Sequence, residues 1–421
     1  MTFEAAKGVL AIVSRASRSG RHVEELPFRP RALVLWWSRQ TTLGVASGNR
    51  GGIGIAVDGS EQTCSAWAAD DALAPATLMQ VTSDTALVGM EDAAEPRAAL
   101  RGVVSYNDRG FVLSWSGGVD GVWHVHYLAL GGSELHSAAV GTLALDRPGG
   151  RSVTGLGFAP ELLLFLPGAG GAEAEPTAGL SYGVGVTTGA TRQAAVGVVA
   201  QASGGTSVVR SGQRTDAVVV VPEVESLGEL GVLARLTSLD PSGFTLDVSR
   251  AAPEPLPLAY LALAGGRYAA GTDTAPRTSG RSKTGSVGFE PAALLTFSWG
   301  LAGSADVKDI PRLCVGGADR RGNAGCLSWA VRSRGVWPLE PRVRSADGSV
   351  VEVMDTESGN LHARAVLDGI RPHGFTLDWD ADGTRRQFAY AAFASEAART
   401  PLLRRLAGVP RRRRMLRLPF A

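Results

Sequence analysis

Three short sequence patterns recur in the same order three times along this chain of 421 residues. The first is Phe-x-Pro followed by an apolar run, and its prolines are Pro30, Pro160 and Pro291. The second is Gly-Phe-x-Leu, which begins at Gly110, Gly243 and Gly374. The third is an apolar segment centred on Tyr127, Tyr260 and Tyr390. Corresponding positions lie 130 to 133 residues apart, and a fixed period indicates repeated structural units.

Each repeat carries the pattern of β-strands. Residues Phe111, Leu113 and Trp115 share one strand face and are separated by intervening positions such as Ser114, as expected for a half-buried strand. The run after Phe-x-Pro is apolar on both faces, which suits a central strand of a sandwich. Gly (54) and Pro (22) are abundant, which suits short strands joined by turns.

The chain is therefore predicted to be all-β, with three tandem antiparallel β-sandwich domains of jelly-roll-like type. The expected domains are residues 1–136, 137–268 and 269–396, called copies 1, 2 and 3 below. A basic C-terminal tail, residues 397–421, follows them and has no counterpart in the repeat.

The first residues are predicted to form a strand of copy 1, although residues 3–13 also fit an amphipathic helix. Residues 8–12 align with residues 141–145, and both segments precede the Phe-x-Pro pattern by about twenty residues. We expect no signal peptide, because the apolar run of residues 8–13 is too short. No segment approaches the roughly 18 apolar residues of a membrane span. We therefore expect synthesis in the host cytoplasm and no membrane partner.

Comparison among the copies tests candidate metal ligands. His124 and His126 share one face of a strand and could bind a metal. Their counterparts in the other two copies are Pro257, Ala259, Gln387 and Ala389. This replacement favours ordinary packing, and we predict neither a metal site nor a cofactor.

The three cysteines cannot form a disulfide framework. Cys64 and Cys326 occupy nearly equivalent places, where copy 2 has alanine around residues 194–195. A cysteine that exchanges with alanine is typical of a small core residue. A disulfide between Cys314 and Cys326 on neighbouring strands remains an alternative.

No catalytic site is predicted. The sequence lacks a phosphate-binding loop, a nucleophile elbow and a zinc-protease motif. One acid recurs, as Asp84, Asp216 and Asp347, each just before an apolar strand. The simplest interpretation is a turn in which the carboxylate binds backbone N–H groups, and the alternative is a shared ligand or interface contact. Glycoside hydrolysis would need a second recurring acid, and none is found.

Tryptophans form a second group of candidate ligand or interface residues. Tryptophan stacks on sugar rings and anchors protein interfaces, and it also fills hydrophobic cores. Most of these tryptophans have no aromatic equivalent in the other copies. The candidates are Trp36, Trp37, Trp67, Trp299 and Trp337.

The charge of the chain is concentrated in its tail. Residues 396–421 contain eight Arg and one Glu, a net charge of +7, whereas the remaining residues carry −5. Apolar residues are interleaved, which is typical of a segment that orders on a partner. The predicted docking residues are Leu402, Leu403, Arg404, Arg405, Arg411, Arg412, Arg413, Arg414, Leu416 and Phe420. This composition favours an acidic protein surface over nucleic acid, and nuclease treatment of a pull-down would separate the two.

The ordered motifs resemble repeat domains in the virion proteins of tailed bacteriophages, often called minor tail or structural proteins. The best-matching stretches are residues 127–132, Tyr-Leu-Ala-Leu-Gly-Gly, and residues 153–160, Val-Thr-Gly-Leu-Gly-Phe-Ala-Pro. The resemblance covers residues 8–395 and excludes the tail. Copy 3 departs most, because residues 390–393 lack the following Gly-Gly. The resemblance implies a β-sandwich module on a phage or phage-derived particle and supplies no catalytic residues.

The expected function is that of a non-enzymatic structural component of a virion or phage-tail-like particle, in its tail, fibre or capsid decoration, anchored by the basic tail. Three like domains could form a pseudo-threefold unit that matches trimeric or sixfold sites, and a homo-oligomer stays open. The expected partners are other particle proteins. A glycan-binding adhesin is the alternative, and a polysaccharide-degrading enzyme is the weaker third interpretation.

Overall fold

The computed structural model describes residues 2–14, 18–40, 43–47, 49–58, 61–69, 78–90, 98–118, 121–169, 177–203, 206–226, 228–284, 287–300, 307–309, 312–332, 340–355 and 360–396. The regular elements of these ranges are β-strands, and no α-helix occurs among them. The prediction of an all-β, antiparallel sandwich-type protein is confirmed.

Within the described ranges each copy contributes eleven strands in the same order. In copy 1 they are β1 (Glu4–Ser14), β2 (Gly20–Glu25), β3 (Pro30–Arg39), β4 (Gly44–Ser47), β5 (Asn49–Val57), β6 (Gln62–Ala69), β7 (Leu78–Ser83), β8 (Leu87–Met90), β9 (Ala98–Asn107), β10 (Gly110–Gly117) and β11 (Gly121–Gly131). In copy 2 they are β12 (Ser137–Leu145), β13 (Gly149–Thr154), β14 (Leu162–Pro167), β15 (Thr177–Ala178), β16 (Leu180–Thr187), β17 (Gln193–Ser203), β18 (Thr206–Arg214), β19 (Val219–Pro222), β20 (Leu230–Asp240), β21 (Gly243–Arg250) and β22 (Leu256–Ala264). Copy 3, counted from Arg267 in the structure, contains β23 (Arg267–Thr274), β24 (Gly280–Thr284), β25 (Ala293–Ser298), β26 (Val307–Lys308), β27 (Arg312–Asp319), β28 (Ala324–Arg332), β29 (Glu340–Asp347), β30 (Ser349–Met354), β31 (Leu361–Arg371), β32 (Gly374–Ala381) and β33 (Gln387–Ala394). The strand at the N-terminus, β1, confirms the prediction made from the repeat.

Each copy supplies six of the seven strands of one large sheet and all four strands of one small sheet. The large sheets have the strand orders β1-β11-β3-β5-β6-β7-β15, β12-β22-β14-β16-β17-β18-β26 and β23-β33-β25-β27-β28-β29-β4. The small sheets have the orders β2-β10-β9-β8, β13-β21-β20-β19 and β24-β32-β31-β30. Consecutive strands of the large sheet pair mostly as antiparallel hairpins, and the last strand of each copy returns to lie between its first and third.

The seventh strand of every large sheet comes from another copy. Strand β15 of copy 2 pairs with β7 of copy 1, and β26 of copy 3 pairs with β18 of copy 2. Strand β4 of copy 1 pairs with β29 of copy 3 and so completes the cycle. The three copies therefore form a closed ring with pseudo-threefold order, and each ring interface covers part of an edge strand that would otherwise expose unpaired backbone groups.

Both faces of each large sheet are buried, in two different cores. In β3, alternate residues Leu33, Leu35 and Trp37 pack against the small sheet of copy 1. Their neighbours Val34 and Trp36 enter a central core to which all three copies contribute. The run after Phe-x-Pro is apolar on both faces because both faces of this strand are buried. The second buried face belongs to the ring and not to the sandwich alone.

The three repeated sequence patterns meet inside each sandwich. Gly8 of β1 lies opposite Tyr127 of β11, and an added Cβ at Gly8 would come within 2.3 Å of the Tyr127 hydroxyl. The Tyr127 ring packs edge-on against Phe111 with 5.1 Å between centroids. The same Tyr–Phe contact recurs in copies 2 and 3 at 5.0 and 5.4 Å. Gly8 and its counterparts Gly141 and Gly271 therefore leave room for the tyrosine ring that joins the two sheets.

Candidate binding surfaces

The predicted tryptophan candidates lie inside the protein wherever the structure describes them. Trp36, Trp37, Trp67 and Trp299 have no exposed surface. Three of them belong to the central core shared by the copies, and Trp37 lies in the sandwich core of copy 1. Because a sugar ring can stack only on an accessible face, these four residues do not form an exposed glycan site. Trp337 lies outside the described residues.

Aromatic rings from all three copies meet in the central core. The Trp67 ring stacks on Tyr182 with 4.0 Å between centroids and 12° between planes. Trp329 packs edge-on against Trp67 at 5.2 Å. Each ring comes from a different copy, so this cluster ties the copies together through dispersion and burial of apolar area.

The recurring aspartates lie at or beside turns between strands but have different contacts. Asp84 is exposed, and the hydroxyl of Ser83 accepts the hydrogen bond from the backbone N–H of residue 85, at 3.2 Å. Asp216 accepts hydrogen bonds from Arg214 and Arg235 at 2.7 and 2.9 Å, and these guanidinium groups lower the pKa of its carboxyl. Asp347 lies at the end of β29, where copy 3 faces copy 1. These contacts do not form a shared ligand site.

The two histidines singled out in the sequence lie on β11, where copy 1 meets copy 3. His126 is fully buried and stacks on Trp36 at 5.8 Å. Its Nε2 lies 2.9 Å from the Ser345 hydroxyl, and its Nδ1 lies 3.3 Å from the Lys7 ammonium. Burial lowers the pKa of His126 well below its ordinary value, and the neighbouring Lys7 adds to this effect. Among the described residues, no group of three or more His, Cys, Asp or Glu side chains is placed to hold a metal ion.

The three cysteines are buried and none is in a disulfide. Cys314 and Cys326 lie in one small cluster with Ala346. Burial raises the pKa of the Cys326 thiol well above its ordinary value, and the hydrogen bond with Cys314 contributes. The pair lies close together, as the sequence alternative required, but it is a pair of thiols and not a disulfide.

A groove of about 590 Å³ runs between copies 2 and 3. Its lining includes Glu161, Thr188, Arg192, Arg267, Tyr268 and Phe289. The Arg267 guanidinium lies 4.9 Å from the centroid of the Phe289 ring, and Arg192 is exposed. The Glu161 carboxylate already accepts a hydrogen bond from the backbone of Gly265 at 2.7 Å. Two cationic groups, one from each copy, suit an anionic ligand.

The same groove recurs between copies 1 and 2 with a different charge. It has a volume of about 420 Å³, and its lining includes Arg31, Asp58, Glu61, His136, Leu156 and Phe158. Phe158 and Phe289 are corresponding residues of the Phe-x-Pro pattern. Asp58 pairs with Arg29 at 2.6 Å, and Glu61 accepts a hydrogen bond from the backbone of Val140 at 3.2 Å. This groove has two carboxylates and one guanidinium, whereas the first groove has two guanidinium groups and one carboxylate, so the two grooves are not chemically equivalent.

The predicted docking residues of the basic tail lie outside the described residues. The last described residues, Ser395 and Glu396, are held by the Glu134 carboxylate, which accepts hydrogen bonds of 2.7 Å from the Ser395 hydroxyl and the Glu396 backbone. Glu134 belongs to the connection between copies 1 and 2. Phe3 and Phe393 pack together nearby. The described chain thus ends at the side of the ring where the copies are joined, which we call the linker end.

No protein-family model matches this chain. A search of curated proteins gives no significant match. Among the described residues no helix is long and apolar enough to cross a membrane.

Sequence reasoning missed the buried polar residues between copies 1 and 3 and both grooves. Lys7 and Asp319 are 3% and 0% exposed, yet neither was a candidate. One signal was present, because Lys7 corresponds to Val140 in copy 2 and Ala270 in copy 3. A charge at a position that is otherwise apolar marks a site where one copy has a special contact.

Proposed function

We propose that the chain is a non-enzymatic structural and interaction component of a bacteriophage virion or phage-tail-like particle. The observation that supports this most is the cyclic exchange of strands β4, β15 and β26 between copies. The exchange makes one closed module with a common core out of three similar domains. A pseudo-threefold module of this kind suits the trimeric or sixfold sites of tails and capsids.

The basic tail is proposed as the tether to the particle. The described chain ends at Glu396, which Glu134 holds at the linker end of the ring. The segment that follows, residues 397–421, contains all eight Arg of the C-terminal stretch. A cationic segment with interleaved Leu and Phe can dock on an acidic protein surface through charge and apolar anchors. The tether would leave the opposite end of the ring free for other contacts.

Deletion of residues 397–421 tests the tether. We expect the truncated chain to keep the tryptophan fluorescence of the folded ring and to be lost from particles purified from cells that produce them, as measured by immunoblot. Arg147→Gln is the matched control, because Arg147 is exposed on the body. Normal incorporation of the truncated chain would refute the tether, and retention that disappears after nuclease treatment would assign the tail to nucleic acid.

A glycan-binding adhesin is the second candidate, and the groove between copies 2 and 3 favours it. The groove combines two guanidinium groups with hydroxyl groups, two aromatic rings and the Glu161 carboxylate. These groups suit an acidic polysaccharide, because guanidinium binds carboxylate in a bidentate fashion.

Binding to a panel of acidic and neutral cell-wall polysaccharides tests the adhesin. We expect Arg192→Ala combined with Arg267→Ala to weaken binding of acidic polysaccharides by about tenfold or more, since hydrogen bonds to charged groups are worth roughly 1.5–3 kcal/mol. Arg147→Ala serves as the control outside the groove. No binding by the unaltered chain, or equal binding by the double variant, would reject the groove as a glycan site.

A further inference from the structure

The interface between copies 1 and 3 buries a lysine. The ammonium of Lys7 donates a hydrogen bond to the Gly8 carbonyl at 2.7 Å and lies 5.3 Å from the Trp36 ring centroid. The backbone N–H of Lys7 donates to the Asp319 carboxylate of copy 3 at 3.1 Å. A buried cation is costly unless charged or polar groups surround it, so this part of the interface depends on its partners.

Those partners come from both copies. His126 of copy 1 lies between the Lys7 ammonium and the Ser345 hydroxyl of copy 3. Asp319 also accepts hydrogen bonds from the backbone of Arg321 and Asn323, at 2.9 and 3.1 Å, so its orientation is fixed before copy 1 docks. A neutral His126 can accept from Lys7 at Nδ1 and donate to Ser345 at Nε2. The arrangement therefore satisfies the polar groups only when copy 1 meets copy 3.

The other two interfaces have different residues at these positions. Strand register places Val140 and Ala270 where Lys7 lies, and Ala259 and Ala389 where His126 lies. By the same criterion Val57 and Thr188 correspond to Asp319, and Thr82 and Gln213 correspond to Ser345. The buried Lys–His pair facing an aspartate thus occurs at one of three interfaces that otherwise share the same strand exchange.

We propose that Lys7 and His126 of copy 1, with Asp319 and Ser345 of copy 3, act as a key. The key allows the side of copy 1 that carries β1 and β11 to pack against copy 3 and disfavours packing against any other copy. Against copy 1 of another chain, Lys7 would face Val57, and against copy 2 it would face Thr188. Either pairing would put an apolar or hydroxyl side chain where the Asp319 carboxylate lies. The key disfavours such contacts between chains and directs copy 1 to the interface that closes a three-copy ring. A buried polar group that selects one partner at the expense of others is a known device of specificity.

A disulfide reporter measures closure in the full chain. Ala46 of β4 lies directly opposite Val343 of β29, so the Ala46→Cys/Val343→Cys pair can cross-link within one chain when the ring is closed. In this background, Asp319→Asn/Ser345→Ala leaves Lys7 and His126 mismatched while the asparagine keeps an oxygen acceptor for its turn. Adding Lys7→Val/His126→Ala gives copy 1 the residues that copy 2 carries. Thr82→Ala, at the counterpart of Ser345, is the matched control.

We expect the mismatched variant to form the disulfide within one chain about tenfold more slowly, which corresponds to about 1.4 kcal/mol, and light scattering to detect associated chains. The fourfold variant should recover the rate to within about twofold of the parent, because the buried cation is gone. The Thr82→Ala control should match the parent. Unchanged closure in the mismatched variant, or no recovery in the fourfold variant, overturns the proposal. If the mismatched variant does not fold, the fourfold variant decides the test. Restored folding in the fourfold variant supports the proposal, and failure to fold overturns it.

Discussion

Raising the pH from about 6.5 to about 8.5 should stabilise the protein through Lys7. Burial lowers the pKa of Lys7 from 10.5 to about 7, although Asp347, Cys326 and Asp319 act in the opposite direction. The unfolded chain keeps the proton throughout this interval, whereas the folded chain loses it as the pH passes about 7. The unfolded state then binds more protons, so stability rises with pH. At about 1.36 kcal/mol per pH unit, the expected gain is about 2 kcal/mol.

Urea unfolding followed by tryptophan fluorescence measures this gain, provided that the slope m stays constant. Lys7→Met keeps a long side chain but removes the titrating group, so the gain in stability between about pH 6.5 and 8.5 should fall below about 0.5 kcal/mol. Lys308→Met is the matched control, because Lys308 is exposed and its removal should leave the gain unchanged. His126 has a lowered pKa and also favours the folded state as the pH rises, but mainly below about pH 6.5. The same pH dependence in Lys7→Met as in the parent would refute the role assigned to this ammonium.

Two substitutions test the packing of the ring and of the sandwiches. Trp67→Ala removes a fully buried ring stacked on Tyr182, so we expect a loss of about 3–5 kcal/mol in urea unfolding, and a loss below about 1 kcal/mol would contradict the central core. Gly185→Ala would place a Cβ 1.8 Å from the Val218 carbonyl oxygen, and we expect a loss of about 1–3 kcal/mol by the same assay. Gly150→Ala has open space around its Cβ and should stay within about 0.5 kcal/mol of the parent; equal stabilities of the two alanine variants would argue against the close approach at Gly185.

The ring also changes how the recurring aspartates are interpreted. Asp347 partly opposes the burial that lowers the pKa of Lys7 and His124, whereas Asp216 pairs with Arg214 and Arg235 of its own copy. The same residue type at the same turn therefore acts across an interface in copy 3 and within its own copy in copy 2. Comparison of copies finds shared positions, but a shared position does not imply a shared contact.

The repeat and the strand pattern were predictable from sequence because they depend on local chemistry. Alternation at Phe111, Leu113 and Trp115 reports which side of a strand is buried. The spacing of Gly8, Phe111 and Tyr127 recurs because these residues meet in each sandwich core. Comparison of the copies correctly predicted that the cysteines are small buried residues. These features need only the order of residues along one copy.

The contacts between copies were decided by the tertiary structure. An apolar run such as residues 32–37 shows that both faces of a strand are buried, but it does not say that the second face meets two other copies. For the same reason the sequence predicts Trp36, Trp67 and Trp299 as candidate ligand residues, although the ring encloses them. The pairing of β4 with β29 and the meeting of Lys7 with Asp319 join residues about 300 positions apart. Periodicity along the chain determined what each copy would bury, and only the closure of the ring determined what each copy would be buried against.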